Sequence, residues 1–167
     1  PYSYFVWWAE AKLYLKQNDI GNAIDSYKRA IMMAGDEGGP IREEYIDLLI
    51  DQKMESTVKE QFDIGLTFYD RLEKDEEYVQ MAYEASQYQY SRGRIAEAST
   101  YITLLLSKDE AIIREVGLYD DVLLLRCEIL ISDRNYDEAE RLSQLFDDEA
   151  YRLYCEGLIA YVRNETR

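Results

Sequence analysis

The chain has 167 residues, with 19 Lys and Arg against 34 Asp and Glu, a formal charge of −15, and no histidine. Its length fits one domain, and 47% hydrophobic residues are too many for a disordered acidic tail. Without histidine there is no Ser-His-Asp or Cys-His nucleophile, no His-ligated zinc and no imidazole switch, while the charge opposes nucleic-acid phosphates and anionic membranes and points to basic or neutral partners.

Apolar residues recur at three- and four-residue intervals along nearly the whole chain, and alternating β-branched runs with hairpin turns are missing. The spacing predicts helices over residues 3–17, 20–34, 41–53, 57–74, 76–92, 94–107, 109–116, 119–132, 135–147 and 149–163. The clearest break is Gly35-Asp36-Glu37-Gly38-Gly39-Pro40, where glycine ends one helix and proline opens the next. Asn18-Asp19, Arg92-Gly93 and Asp133-Arg134 read as short turns between antiparallel helices.

The chain starts Pro1-Tyr2-Ser3-Tyr4, with no initiator Met and no basic segment before an apolar stretch. It is therefore expected to carry no signal peptide of its own and to be a piece of a longer protein. The longest strong apolar run, Tyr101 to Leu106, falls far short of the ~18 residues of a membrane span, so no direct membrane insertion is expected. Cys127 and Cys155 have no CxxC spacing and read as small buried hydrophobes of a reducing compartment, so a cytoplasmic location is the expectation, with any anchor or signal lying outside this piece.

Three segments read alike. Asp19-Ile20-Gly21-Asn22-Ala23-Ile24, Gly93-Arg94-Ile95-Ala96-Glu97-Ala98 and Arg134-Asn135-Tyr136-Asp137-Glu138-Ala139 are each a polar turn, then an apolar or aromatic residue, then Ala in a new amphipathic helix. Twelve residues before each Ala stands a small residue: Ala11, Ser86 and Cys127. Small residues on two antiparallel helices let the backbones approach closely, which gives the spacing a packing reason. With Trp7, Ala11 and Tyr14 in its first helix and Ala23, Tyr27 and Ala30 in its second, the first unit resembles the tetratricopeptide repeat family, whose units are about 34 residues long. The unit around Ala98 keeps less of the pattern, with Ala82 and Gln89 in the large and aromatic slots. The unit around Ala139 has Leu123, Cys127 and Leu130, then Ser143 and Phe146. Leu153 and Gly157 mark a further first helix. Ala98 stands 75 residues after Ala23, about two periods plus seven, so residues 41–74 must hold a longer, irregular hairpin in which Gly65, Tyr69 and Leu72 fit the second helix.

The resemblance implies an all-α fold, a right-handed α-α superhelix or TPR-like solenoid of antiparallel helical hairpins. Its units would be about 4–34, 41–74 (irregular), 76–107 and 119–147, with a terminal helix at 149–163, all within a single domain 1–167. First helices would line a concave groove. The candidate groove residues are then Trp8, Lys12, Leu15, Tyr83, Gln87, Tyr90, Leu124, Glu128 and Ile131. Tyr154 and Tyr161 hold the matching places in the terminal helix, where packing is the expected role. Such a ladder either holds an extended peptide, offering contact area at little rotamer entropy, or fills the inside of a tight superhelix.

Family members that clamp a C-terminal carboxylate use Lys, Asn and Arg in the groove. Here the corresponding places hold Trp8 and Lys12, then Gln80 and Glu84, so that mode is not expected. The acidic clusters Asp36-Glu37, Glu73 to Glu77, Asp120-Asp121 and Asp147-Asp148-Glu149 fall at helix junctions, where carboxylates favour the positive end of the next helix. The other reading is a basic segment bound at Asp121 and Glu128. No calcium loop or phosphate cradle is present, and 34 acids make chance pairs inevitable, so no enzyme, metal or cofactor is expected. The leading reading is a non-catalytic interaction scaffold that binds a peptide or partner helix. The alternative is a ligand- or peptide-sensing regulatory domain of a larger protein, such as a bacterial transcriptional or signalling regulator.

Overall fold

The structure is a computed structural model that describes residues 3–165. Residues 1–2 and 166–167, the ends of the expected 1–167 domain, lie outside the described residues. Among these the fold is all-α, with no strand. The helices are α1 (Tyr4–Lys16), α2 (Ile20–Ala34), α3 (Gly39–Asp51), α4 (Glu55–Arg71), α5 (Asp75–Ser91), α6 (Ile95–Leu105), α7 (Glu110–Glu115), α8 (Tyr119–Ser132), α9 (Tyr136–Ser143) and α10 (Glu149–Glu165). Most bounds match the periodicity to within two or three residues. The expected helix 135–147 is shorter, because Gln144 caps α9 after Ser143. The break after α2 is built as read: Gly35 takes a positive φ of 54°, a 3-10 turn follows, and Pro40 sits in the first turn of α3.

Within the two units described below, one turn joins helices five times over. The N–H of Asp19, Met54, Arg94, Leu118 and Asn135 donates to the carbonyl five residues back, at Tyr14, Leu49, Gln89, Ile113 and Leu130. The residue before each donor, Asn18, Lys53, Gly93, Gly117 or Arg134, is left-handed, with φ between 55° and 80°. This is the C-terminal motif that satisfies a helix's last carbonyls. The same five donors are the N-caps of the next helices. Their own carbonyls accept from Ala23, Val58, Ala98, Val122 and Ala139. All five of those acceptor-bound residues are buried, at 0–1% exposure, so the turn also fixes the first core residue of the helix it opens.

By its internal contacts the chain divides into two compact units, Pro1–Lys74 with α1 to α4 and Asp75–Arg167 with α5 to α10. In the first unit α1 packs on α2, α2 on α3 and α3 on α4. Its core includes Ala11, Ala23, Tyr27, Tyr45, Leu49, Phe62 and Tyr69, and the rings of Tyr27 and Tyr45 stack at 5.9 Å. Full burial of a side chain such as Leu49 contributes about 1.5–3 kcal/mol. At the start of α3 the chain has no room for a side chain: a Cβ on Gly39 would lie 2.6 Å from the Tyr69 hydroxyl.

In the second unit α5 packs on α6, α8 meets α6, α9 and α10, and α9 packs on α10. The twelve-residue spacing is a direct contact here. The Ser86 hydroxyl donates to the Ala98 carbonyl at 2.8 Å, and the Cys127 thiol to the Ala139 carbonyl at 3.6 Å. In the irregular hairpin α3–α4 the same two places hold Ile46 and Val58, both buried, instead of a small pair.

Candidate functional site

In the first unit, Trp8 and Lys12 lie one turn apart on α1, so one acceptor on α3 reaches both. The Trp8 Nε1–H donates to Glu44 at 2.8 Å, the Tyr27 hydroxyl donates to the same carboxylate at 3.1 Å, and Lys12 pairs with it at 3.0 Å. Lys12 also lies 4.3 Å from the centre of the Trp8 ring. Burial by itself raises the Glu44 carboxyl. The hydrogen bonds from Trp8, Lys12 and Tyr27 and the Lys12 charge outweigh it and hold the group below its ordinary value. The Tyr27 phenol is pushed up, first by burial and then by the Glu44 charge. Glu44 is thus the centre of this cluster, and no slot in the repeat pattern singles it out. Leu15, the third expected residue of α1, is half-buried.

In the second unit, Tyr83 and Gln87 are again one turn apart, and the Gln87 amide donates to the Tyr83 hydroxyl at 2.7 Å. Tyr83 is half-buried, and its phenol is pushed up to about 12 by burial and by the charges of Asp121 and Glu128, with Tyr151 adding to them. The Tyr151 hydroxyl in turn donates to Asp121 at 2.8 Å. Side chains of α5, α8 and α10 therefore share one acidic, tyrosine-rich face. Its carboxylates have no cation of their own on α5, which carries neither Lys nor Arg. On α10, Arg152 pairs with Glu149, and Arg163 with Asp137 and Glu140 of α9. Glu128 is half-buried, its carboxylate makes no hydrogen bond or ion pair among the described residues, and burial raises its carboxyl above the ordinary value.

The remaining expected residues divide. Tyr90 is half-buried on α5. Leu124 is half-buried and packs against the core formed by α8, α9 and α10, and Ile131 belongs to that core at 8% exposure. Ile131 is therefore a packing residue here. Tyr154 and Tyr161, expected to pack, are 55% and 60% exposed on α10. The tyrosine excess also feeds the interior: Tyr27, Tyr45, Tyr69, Tyr78 and Tyr101 are buried.

The acidic clusters do structural work where the structure shows their bonds. Asp120 accepts from the backbone N–H of Asp147 and of Asp148, both at 2.9 Å, and Asp148 accepts from Ala150 at 2.7 Å as α10 begins. Asp36 pairs with Arg71 at 2.6 Å. At the places that correspond to a carboxylate clamp, Gln80 donates to Glu84 at 3.4 Å, and the one cation, Lys12, is paired with Glu44. Cys127 and Cys155 are free and buried, and the Cys127 thiol is pushed up by its hydrogen bond with Cys155 and by burial, which suits packing and not nucleophilic attack. Among the described residues no group of three or more His, Cys, Asp or Glu is placed to hold a metal ion. No helix among them is long and apolar enough to cross a membrane. No family model matches the chain, and neither a curated protein nor a solved structure matches it.

Proposed function

We propose that this chain is a non-catalytic interaction module whose hairpins follow a tetratricopeptide-like right-handed superhelix, and that it holds an extended basic segment on the tyrosine-lined face of α5, α8 and α10. The observation that carries the reading is the surroundings of Tyr83. A half-buried phenol held by Gln87 stands among the charges of Asp121 and Glu128, and Glu128 has no cation to answer it. A Lys or Arg arriving there would give the half-buried Glu128 carboxylate a charge-assisted hydrogen bond, and its chain would lie on aromatic surface. The five-fold turn and the small-to-Ala contacts support the repeat architecture.

The test is a titration of short extended peptides, Lys- and Arg-bearing against sequence-matched acidic ones, followed by anisotropy. Basic peptides are expected to bind, more weakly as salt rises, and to lose about tenfold in affinity on Glu128→Gln or Tyr83→Ala. Equal binding of acidic peptides, or indifference to both substitutions, sinks the reading.

A further inference from the structure

On the opposite side of α8, Arg126 stands two residues from both Leu124 and Glu128, about 200° around the helix. It is half-buried and lines a groove of about 540 Å³ between α6 and α8 with Ser99, Ile102, Thr103, Leu106, Ile129 and Leu130 among its neighbours. Arg126 is the one charged residue of that lining. In a chain with 34 acids, this guanidinium makes no hydrogen bond or ion pair among the described residues. Other half-buried cations of the unit are engaged: Lys108 with Asp75, Arg152 with Glu149, Arg163 with Asp137 and Glu140.

The donors of the groove define what fits it. The Thr103 hydroxyl donates to the Ser99 carbonyl at 2.9 Å and the Ser107 hydroxyl to the Leu104 carbonyl at 2.6 Å, so both are committed to their own helix. The Ser99 hydroxyl has no partner among the described residues and, with the Arg126 fork, is what remains to face an anion. Two adjacent donors on a guanidinium match the two oxygens of one carboxylate. A phosphate dianion would need more donors than this and would meet twice the repulsion of a chain of charge −15. The aliphatic walls of Ile102, Leu106, Ile129 and Leu130 take an apolar body. Past Arg126 a second concavity of about 180 Å³ is lined by Glu110 and by Lys108, whose charge is already paired with Asp75, so the larger α6–α8 groove is the one with room for an aliphatic body beside the Arg126 fork.

We infer that the α6–α8 groove is a binding site for a monocarboxylate carrying an aliphatic body, with Arg126 holding the carboxylate. A free aliphatic acid and a peptide chain ending in an aliphatic residue share this chemistry. The site is independent of the tyrosine-lined face, and neither needs the other.

The experiment titrates the isotope-labelled chain with octanoate, octanamide, and N-acetyl-Leu-Leu as free acid and as amide, following backbone amide resonances. At least one of the two acids is expected to shift Ser99, Thr103, Leu106 and Leu130 in a saturable way, about tenfold or more tighter than its own amide. Tighter octanoate identifies a free acid as the natural chemistry, and a tighter dipeptide acid a chain terminus. Arg126→Met, which keeps the stem, should abolish that preference, and Arg126→Lys should keep part of it, with unchanged circular dichroism verifying the fold. The inference is overturned if both acids bind no better than their amides, if neither shifts these residues, or if the Lys and Met variants bind the acids as the unaltered chain does.

Discussion

Glu44 and Glu128 are both half-buried glutamates on helices that pack inside their own unit, and their surroundings are opposite. Glu44 collects Trp8, Tyr27 and Lys12 and is held below the ordinary glutamate value. Glu128 has no partner among the described residues, stands in the same acidic neighbourhood as Tyr83, and is raised. Around Glu44 the polar groups are closed upon one another, so a ligand there would have to break bonds before making any. The second keeps an unanswered carboxylate beside aromatic surface. That contrast is why the proposed recognition falls to α5, α8 and α10 and not to Trp8 and Lys12, although the repeat pattern gives both sets the same standing.

The sharpest way to break the contrast is to remove each carboxylate. Glu44→Ala should destabilise the first unit by about 2–3 kcal/mol, because the Trp8 and Tyr27 donors are left without an acceptor. Glu128→Ala should change the second unit by less than about 0.5 kcal/mol in the destabilising direction, since no bond is lost. Both tryptophans of the chain are in α1, so tryptophan emission during urea unfolding reports the first unit while circular dichroism reports the whole. Equal losses on the two substitutions would erase the distinction.

A smaller effect is the response to acid. Glu44 is depressed in the folded state, so its contribution is present above the unfolded glutamate value, about 4.3, and is lost as pH falls through the lower folded value. Glu128 is raised, so its penalty is absent below about 4.3 and grows as pH rises through the higher folded value. Carbon-detected titration of the two carboxyls should give midpoints on either side of 4.3. Matching midpoints would contradict the two environments.

The smallest effect should be common to both units. Lys53 in one and Arg134 in the other are left-handed residues with a side chain, at φ 56° and 60°. Replacing either with Gly should stabilise its unit by up to about 1 kcal/mol, seen as a shift of the urea midpoint. A gain in one unit only would mean that the shared turn is not the same in both.

Much of the fold is legible in the sequence, because three- and four-residue periodicity reports helices and the small-to-Ala spacing reports a real contact at Ser86–Ala98 and Cys127–Ala139. The irregular stretch is opaque for a physical reason. Its turn is the common one, and only the small residues that advertise it are replaced by Ile46 and Val58. For the same reason Glu44 goes unread: without a recognisable small slot in α3, no position there can be placed relative to Trp8. Of the two readings kept for Ile131, groove or packing, its burial favours packing. The buried residues of α8, from Val122 and Leu123 through Leu125 and Cys127 to Ile129 and Ile131, take up about 240° of the helix at ~100° per residue, and Ile131 stands at the edge of the narrow side that Asp121 and Glu128 leave polar. Arg126 is invisible to pattern altogether, because a lone cation gains meaning only from what fails to surround it.

In the five shared turns a single residue closes one helix with its N–H and opens the next with its carbonyl. There is no spare residue at such a join, so adding one would cost a hydrogen bond on one side or the other. Inserted sequence should be tolerated best where that double use is absent, at residues 35–38 in the first unit and 106–109 in the second; 144–148 lacks it too, but there Phe146 is in the core and Asp120 holds the N–H groups of Asp147 and Asp148. A fluorescent reporter, protease site or affinity tag belongs in the first two stretches, where lengths would drift over evolutionary time while the five joins keep theirs.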